Sequence, residues 1–331
     1  MTSRERFLRT LAGEPVDRPP LWGEGIREEV REEWAKQGVP LDRDLDAEFS
    51  VDRRELVQPD LRHRRFFLPP RDDGSPNSEL EADDPKRYPG DWVEQARAYR
   101  HRDYPVGLRI SRGLFLTLSV EDWRTLRPLL YALADEPRRV ACLMDEAASF
   151  IMKVLERAYD EVSFDYVLLS EPIASNFGPV IGPRSFRAAC DRAYRRLIAQ
   201  ARQQSIRWTI FQSYGNAIPL LSEAVGMGCG VYWAGDTLLS RTSYRALRRA
   251  FGRELGLVGG IDVGLLLTDT ATMEREVRRI VPPLVREGRY LPLLDGRVRE
   301  YVPFAHYAAY RRVLVQTVEE ACRAQNLSCA E

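Results

Sequence analysis

Four carboxylates, four guanidiniums and a short neutral cluster carry the chemistry this chain can offer. Glu171, Asp60, Asp262 and Asp295 each stand just after an apolar run. Such groups suit general acid–base work, since two carboxyls in one dry pocket push their pKa values apart. Arg109 lies just inside an apolar run, and Arg27, Arg112 and Arg297 follow others. A guanidinium presents a planar fork that clamps carboxylates in bidentate fashion. Gln212, Tyr214 and Asn216 fall within five residues. The two amides hydrogen-bond without charge, and the phenol can act as a weak general acid or a stacking surface. Trp22 and Trp233 supply flat apolar walls. Metal ligands are scarce: His63, His101 and His306 follow no apolar run, and the five cysteines (142, 190, 229, 322 and 329) include no CxxC pair. No metal site, structural zinc or disulfide framework is expected.

Short apolar strands alternating with amphipathic helices must position these groups. Strands are predicted at 21–22, 51–57, 105–110, 164–169, 207–211, 231–233, 255–261 and 289–294. Helices are predicted at 26–37, 121–133, 136–158, 183–204, 216–226, 241–254, 271–287 and 304–324. Thr2 and Glu5 form a capping box ahead of an N-terminal helix, and Pro183 suits a first helical position. Apolar strands alternating with helices call for a parallel sheet covered by helices. Eight of them predict a (β/α)8 TIM barrel, one domain spanning 1–331, with working groups at the strand C-terminal ends. Asp236 also trails a strand. Residues 38–104 are the irregular part, and the polar stretch 71–91 reads as a surface excursion; whether 38–104 covers the barrel mouth stays open. No Gly-rich nucleotide turn follows a strand.

Composition narrows the class. The chain has 331 residues, 44% of them apolar, with 49 basic and 49 acidic groups. That is enough to bury a large core. The charge balance argues against a nucleic-acid binder. No run reaches the roughly 18 apolar residues of a membrane helix, and the N-terminus does not read as a signal peptide. A cytoplasmic protein is expected. Lysine occurs only at 36, 86 and 153, so a cation in the pocket should be arginine, and the substrate an anion.

Several blocks are similar to the uroporphyrinogen decarboxylase superfamily. They are RERFLRTLAGEPVDRPPLW, REEVREEWAKQGVP, FDYVLLSEPIASNFGPVIGPRSF, FQSYGNAIPLL, ELGLVGGIDVGLL and REGRYLPLLDGRVREYVPFAHY, in the family's order. The resemblance implies the same barrel and two chemistries: cofactor-free decarboxylation of tetrapyrrole acetate groups, and zinc- or corrinoid-linked methyl transfer. It also implies face-to-face homodimers. True decarboxylases hold substrate carboxylates with an Arg- and Gln-bearing motif after the first strand, where only Arg27 matches here. Asp60 matches their catalytic aspartate. The thiol methyltransferases place zinc-binding His and Cys where Gln212 and Tyr214 stand, and Gly296 replaces a histidine of many relatives. A divergent member is implied. The leading expectation is methyl transfer from a small methylated, carboxylated substrate to a corrinoid brought by a partner protein. It needs no His/Cys zinc site and no tightly held cofactor, and Glu171 or Tyr214 would protonate the leaving atom. The alternative is decarboxylation of an aromatic or tetrapyrrole acid, with Asp60 or Glu171 as proton donor and arginines orienting the carboxylates. A third reading is a non-catalytic binding barrel.

Overall fold

The computed structural model describes every residue except Asp73, Asp236, 238–241 and 329–331. Asp236, Cys329 and the start of the helix expected at 241 therefore lie outside the described residues. The chain divides into two compact units, Glu55–Tyr232 and the pair of segments Met1–Arg54 and Trp233–Glu331.

In the unit Glu55–Tyr232 the strands are β1 (Glu55–Val57), β2 (Val106–Ser111), β3 (Tyr166–Ser170), a hairpin of β4 (Ala174–Ser175) and β5 (Gly178–Pro179), β6 (Trp208–Ser213) and the first half of β7 (Val231–Ala234). Strand order is β1-β2-β3-β6-β7. The pairs β1–β2, β2–β3 and β3–β6 are parallel. The second unit holds the rest of β7, then β8 (Gly256–Ile261) and β9 (Tyr290–Leu294), with β8 and β9 parallel. Every connection between these parallel strands carries helix, because a parallel crossover is too long for a tight turn. The architecture is an α/β fold built on parallel strands.

The strands are short and buried on both faces, as the continuous apolar runs required. Alternation sorts their side chains. Phe211 meets Phe186 of the helix Pro183–Gln203. Leu169 pairs with Phe211 and so shares that helix-facing side, while Leu168 and Ile210 take the other. On the second side Gly107 of β2 has no room for a side chain. An added Cβ would lie 2.3 Å from the Tyr166 ring, whose hydroxyl donates to the Glu55 carbonyl.

Two expectations are corrected. Leu21-Trp22 is not a full strand: Trp22 makes only an isolated parallel bridge to Asp52. The segment 71–91 is less loose than its polarity suggests. Helical turns stand at Pro76–Glu79 and Pro85–Arg87, and the helix Trp92–Tyr99 follows. The buried Arg87 guanidinium donates to the carbonyls of Glu81, Asp60, Arg62 and Leu80. One long side chain satisfies the backbone of two separate segments, 60–62 and 80–81, and such order leaves no periodic trace in a sequence.

Asp60 belongs to this structural scaffold. It accepts from the Arg62 guanidinium at 3.1 and 2.8 Å and from the Asn77 amide at 3.2 Å. Burial works to raise its pKa, but the Arg62 side chain and backbone, with Asn77, outweigh it and hold the carboxyl at about 2. An unfolded aspartate titrates near ~3.9. Ionised Asp60 therefore favours the folded chain above about pH 4, by on the order of 2 kcal/mol, and that share is lost as pH falls towards 2. Asp60→Asn should forfeit it at pH 7 and flatten the acid limb of the stability curve, read by circular dichroism. An unaltered acid limb would show the Arg62 pair to be inconsequential.

Candidate active site

The unit Glu55–Tyr232 places Arg109 in β2, opposite Leu168 of β3. Its side chain therefore lies on the face away from the helix Pro183–Gln203. Ser170 and Gln212 are register partners and share that face with Leu168 and Ile210. Arg109, Ser170 and Gln212 thus line one side of the strand ends. Tyr214 follows β6, is 38% exposed, and lies near enough to Arg109 to influence its pKa. Asn216 sits two residues on. Its backbone N–H donates to the Ser175 carbonyl, and its Oδ1 is buried without a partner among the described residues. Arg112 lies in the turn after β2.

Arg109 is the informative residue. No carboxylate among the described residues pairs with it, and its Nε is buried without an acceptor. Burial lowers its pKa, with Tyr214 offsetting part of the effect. A half-buried guanidinium without a carboxylate partner carries part of its desolvation cost until something anionic joins it. This is the electrostatic profile of an anion anchor.

Glu171 goes elsewhere. It is fully enclosed and faces the helix layer, where the Tyr194 hydroxyl donates to it. The Leu114 backbone N–H donates to both its carboxyl oxygens, at 3.0 and 3.2 Å. Burial pushes the carboxyl up to about 7, against the opposing pull of Tyr194 and Leu114. Glu171 and Gln212 thus end on opposite faces. A two-residue period decides which way a side chain points, and one position reverses it.

Sequence reading passed over Tyr194, yet the signal was present. Phe186, Cys190, Tyr194 and Leu197 form the buried stripe of one helix, and a phenol in an apolar stripe needs a hydrogen-bond partner.

The second unit holds its own polar groups. Asp295 is buried and accepts from the Val263 N–H at 3.0 Å and from both the backbone N–H and the hydroxyl of Thr237. Burial, reinforced by neighbouring Asp262 and opposed by Thr237 and Val263, pushes its carboxyl up to about 6. Asp262 caps the following turn through the Gly264 N–H at 2.6 Å. The rings of Trp22 and Trp233 lie 6.0 Å apart, and the Arg54 guanidinium stacks on both, at 4.3 and 4.7 Å from their centroids. Arg54 was not among the sequence candidates. Arg27 is exposed and pairs with Glu29. Arg297 is exposed in the loop after β9.

The uroporphyrinogen decarboxylase (URO-D) family model matches residues 121–291, just over half of the chain. The chain belongs to the uroporphyrinogen decarboxylase family. A search of curated proteins returned no match. The matched span carries Glu171, Tyr194, Gln212, Tyr214, Asn216, Trp233 and Asp262, and Arg109 precedes it. Among the described residues no three His, Cys, Asp or Glu side chains are grouped to hold a metal. No helix of the described residues is long and apolar enough to cross a membrane.

Proposed function

We propose that the chain is a carboxy-lyase acting on a small aromatic carboxylic acid, in the (β/α)8 barrel that its sequence leads one to expect. The observation that carries this reading is the half-buried guanidinium of Arg109, whose Nε is enclosed without an acceptor and which no carboxylate among the described residues neutralises. The sequence ranked methyl transfer to a corrinoid carrier first. Decarboxylation is favoured because it asks only for groups that stand here together: an anion anchor, neutral hydrogen-bonding side chains and a phenol. Arg109 grips a carboxylate and fixes the ring's orientation. Gln212 and Ser170 hydrogen-bond ring substituents. The carbon–carbon bond to the departing carboxylate breaks, its electron pair stays on the ring or side-chain carbon, and CO2 leaves. Tyr214 delivers the proton to that carbon and regains one from solvent through its exposed hydroxyl.

The test incubates the protein with hydroxybenzoates, arylacetates and porphyrinogens in D2O and measures CO2 release. One acid should release CO2 and carry one deuterium at the vacated carbon. Silence across the panel, together with a spectral change in a corrinoid carrier offered with methylated aromatic acids, would instead support the methyl-transfer reading.

A further inference from the structure

Glu171 is bolted at both ends. Its backbone N–H donates to the Gln212 carbonyl at 2.7 Å, and its carbonyl accepts from the Ser213 hydroxyl at 2.7 Å. This fixes it to the end of β6, the strand that carries Gln212 and leads into Tyr214. Its carboxyl reaches the other way, to the Leu114 N–H just past the end of β2.

The end of β2 needs such a hold. The β2–β3 register slips between Arg109 and Ser111, so Arg109 pairs with Leu168 but Ser111 pairs with Leu169. The bulge turns Ser111 to the helix-facing side and leaves Arg109 on the other. An unbulged strand would put both on one face. Bulged backbone has lost ladder bonds and relaxes unless side chains replace them. The Ser111 hydroxyl accepts from the Gly113 N–H at 3.0 Å. Gly113 has φ +88°, and an added Cβ would lie 2.7 Å from the Ser170 carbonyl oxygen and 2.8 Å from a Glu171 carboxyl oxygen. The turn has no space to shift towards β3.

From this geometry we infer that Glu171 is a positioning residue: through the Leu114 amide and the Tyr194 hydroxyl it holds the bulged end of β2, and so sets Arg109 to receive its anion. The inference rests on the anchoring role proposed for Arg109. The groups facing the carboxyl are Tyr194 and Cys190 of the helix Pro183–Gln203 and the Leu114 N–H. The groups that shift its pKa include no cation. Ionised Glu171 is a stronger acceptor than the acid form. The hold tightens as pH rises through neutrality, and anion affinity follows it.

Benzoate affinity measured by calorimetry from pH 5.5 to 8.5 provides the test, with amide exchange of peptide 111–118 followed in parallel. Wild type should gain about tenfold in affinity across this range, the usual scale for loss of a supporting hydrogen bond. Glu171→Gln should give a flat profile and faster exchange. Tyr194→Phe deletes one donor and should move the midpoint to higher pH. An unchanged pH profile in Glu171→Gln, or faster exchange with unaltered affinity, would overturn the positioning role alone. A wild type that ignores benzoate at every pH would overturn the Arg109 reading, and this inference with it.

Discussion

Arg109→Gln is expected to lose anion affinity and gain stability. The glutamine keeps much of the length and some hydrogen-bonding capacity but surrenders the charge and the fork. A charge-assisted pair to a carboxylate in a partly buried site is worth roughly 2–3 kcal/mol. That is on the order of 30- to 150-fold in kcat/KM at about 1.4 kcal/mol per decade. Most of it should appear in KM, because the carboxylate is gripped in ground and transition states alike. Arg109→Lys restores the charge without the planar fork and should recover only part of the loss. The unliganded variant should also unfold later. Wild type carries the desolvation of a guanidinium with no carboxylate partner among the described residues, and removing that burden should add about 1 kcal/mol to the unfolding free energy. Opposite signs in affinity and stability separate an anchor from a scaffold residue. If urea denaturation shows Arg109→Gln to be less stable, with ligand binding intact, the anchor reading fails.

Arg311→Met should have the largest effect on stability. Arg311 is fully buried and donates to Glu24 and to the carbonyls of Trp22 and Phe49. Glu24 in turn accepts from the hydroxyls of Tyr307 and Tyr310 at 2.9 and 3.2 Å, and its side chain is 1% exposed. Deleting the cation strands a buried carboxylate, which costs about 3–5 kcal/mol. A double variant, Arg311→Met with Glu24→Gln, removes both charges and should recover a large part of that loss. The coupling between the two, measured in urea, should be well above about 1 kcal/mol. Additive single effects would mean that the pair is not the unit holding the N-terminal loop to the helix Phe304–Ser328.

The two variants mark a half-buried arginine and a fully buried one. Arg311 is matched by a carboxylate and two carbonyls, so its burial is compensated locally. Half-buried Arg109 has no carboxylate partner among the described residues, so its cation is left for an anion from outside them. Residue type and neighbouring sequence do not distinguish them. Each lies in a stretch of apolar residues, Leu108-Arg109-Ile110 and Tyr310-Arg311-Arg312-Val313.

The strand-and-helix order was legible because apolar spacing follows local geometry. A helix repeats every 3.6 residues, and a buried parallel strand is a short apolar run. The helices at Pro183–Gln203 and Thr270–Glu287 and the strands at Val106–Ser111 and Gly256–Ile261 fall within a residue or two of their predicted limits. Leu21-Trp22 did not become a strand because two apolar residues between prolines and a glycine supply too little ladder. Asp60 was readable as a carboxylate after a strand. Its capture by Arg62 and Asn77 was not, since that depends on how the 60–90 segment wraps around Arg87.

By itself, the amino-acid order determined the succession of elements, the parallel α/β class, the dominance of arginine among its cations and the family. Tertiary structure decided which face each polar side chain took. Runs such as YVLLSEP are apolar on both sides and do not reveal their own orientation. A one-residue bulge in β2, invisible in the sequence, turns Ser111 towards the helices and leaves Arg109 on the opposite side. The pairing register of neighbouring strands carries that information, and register arises only when the chain folds.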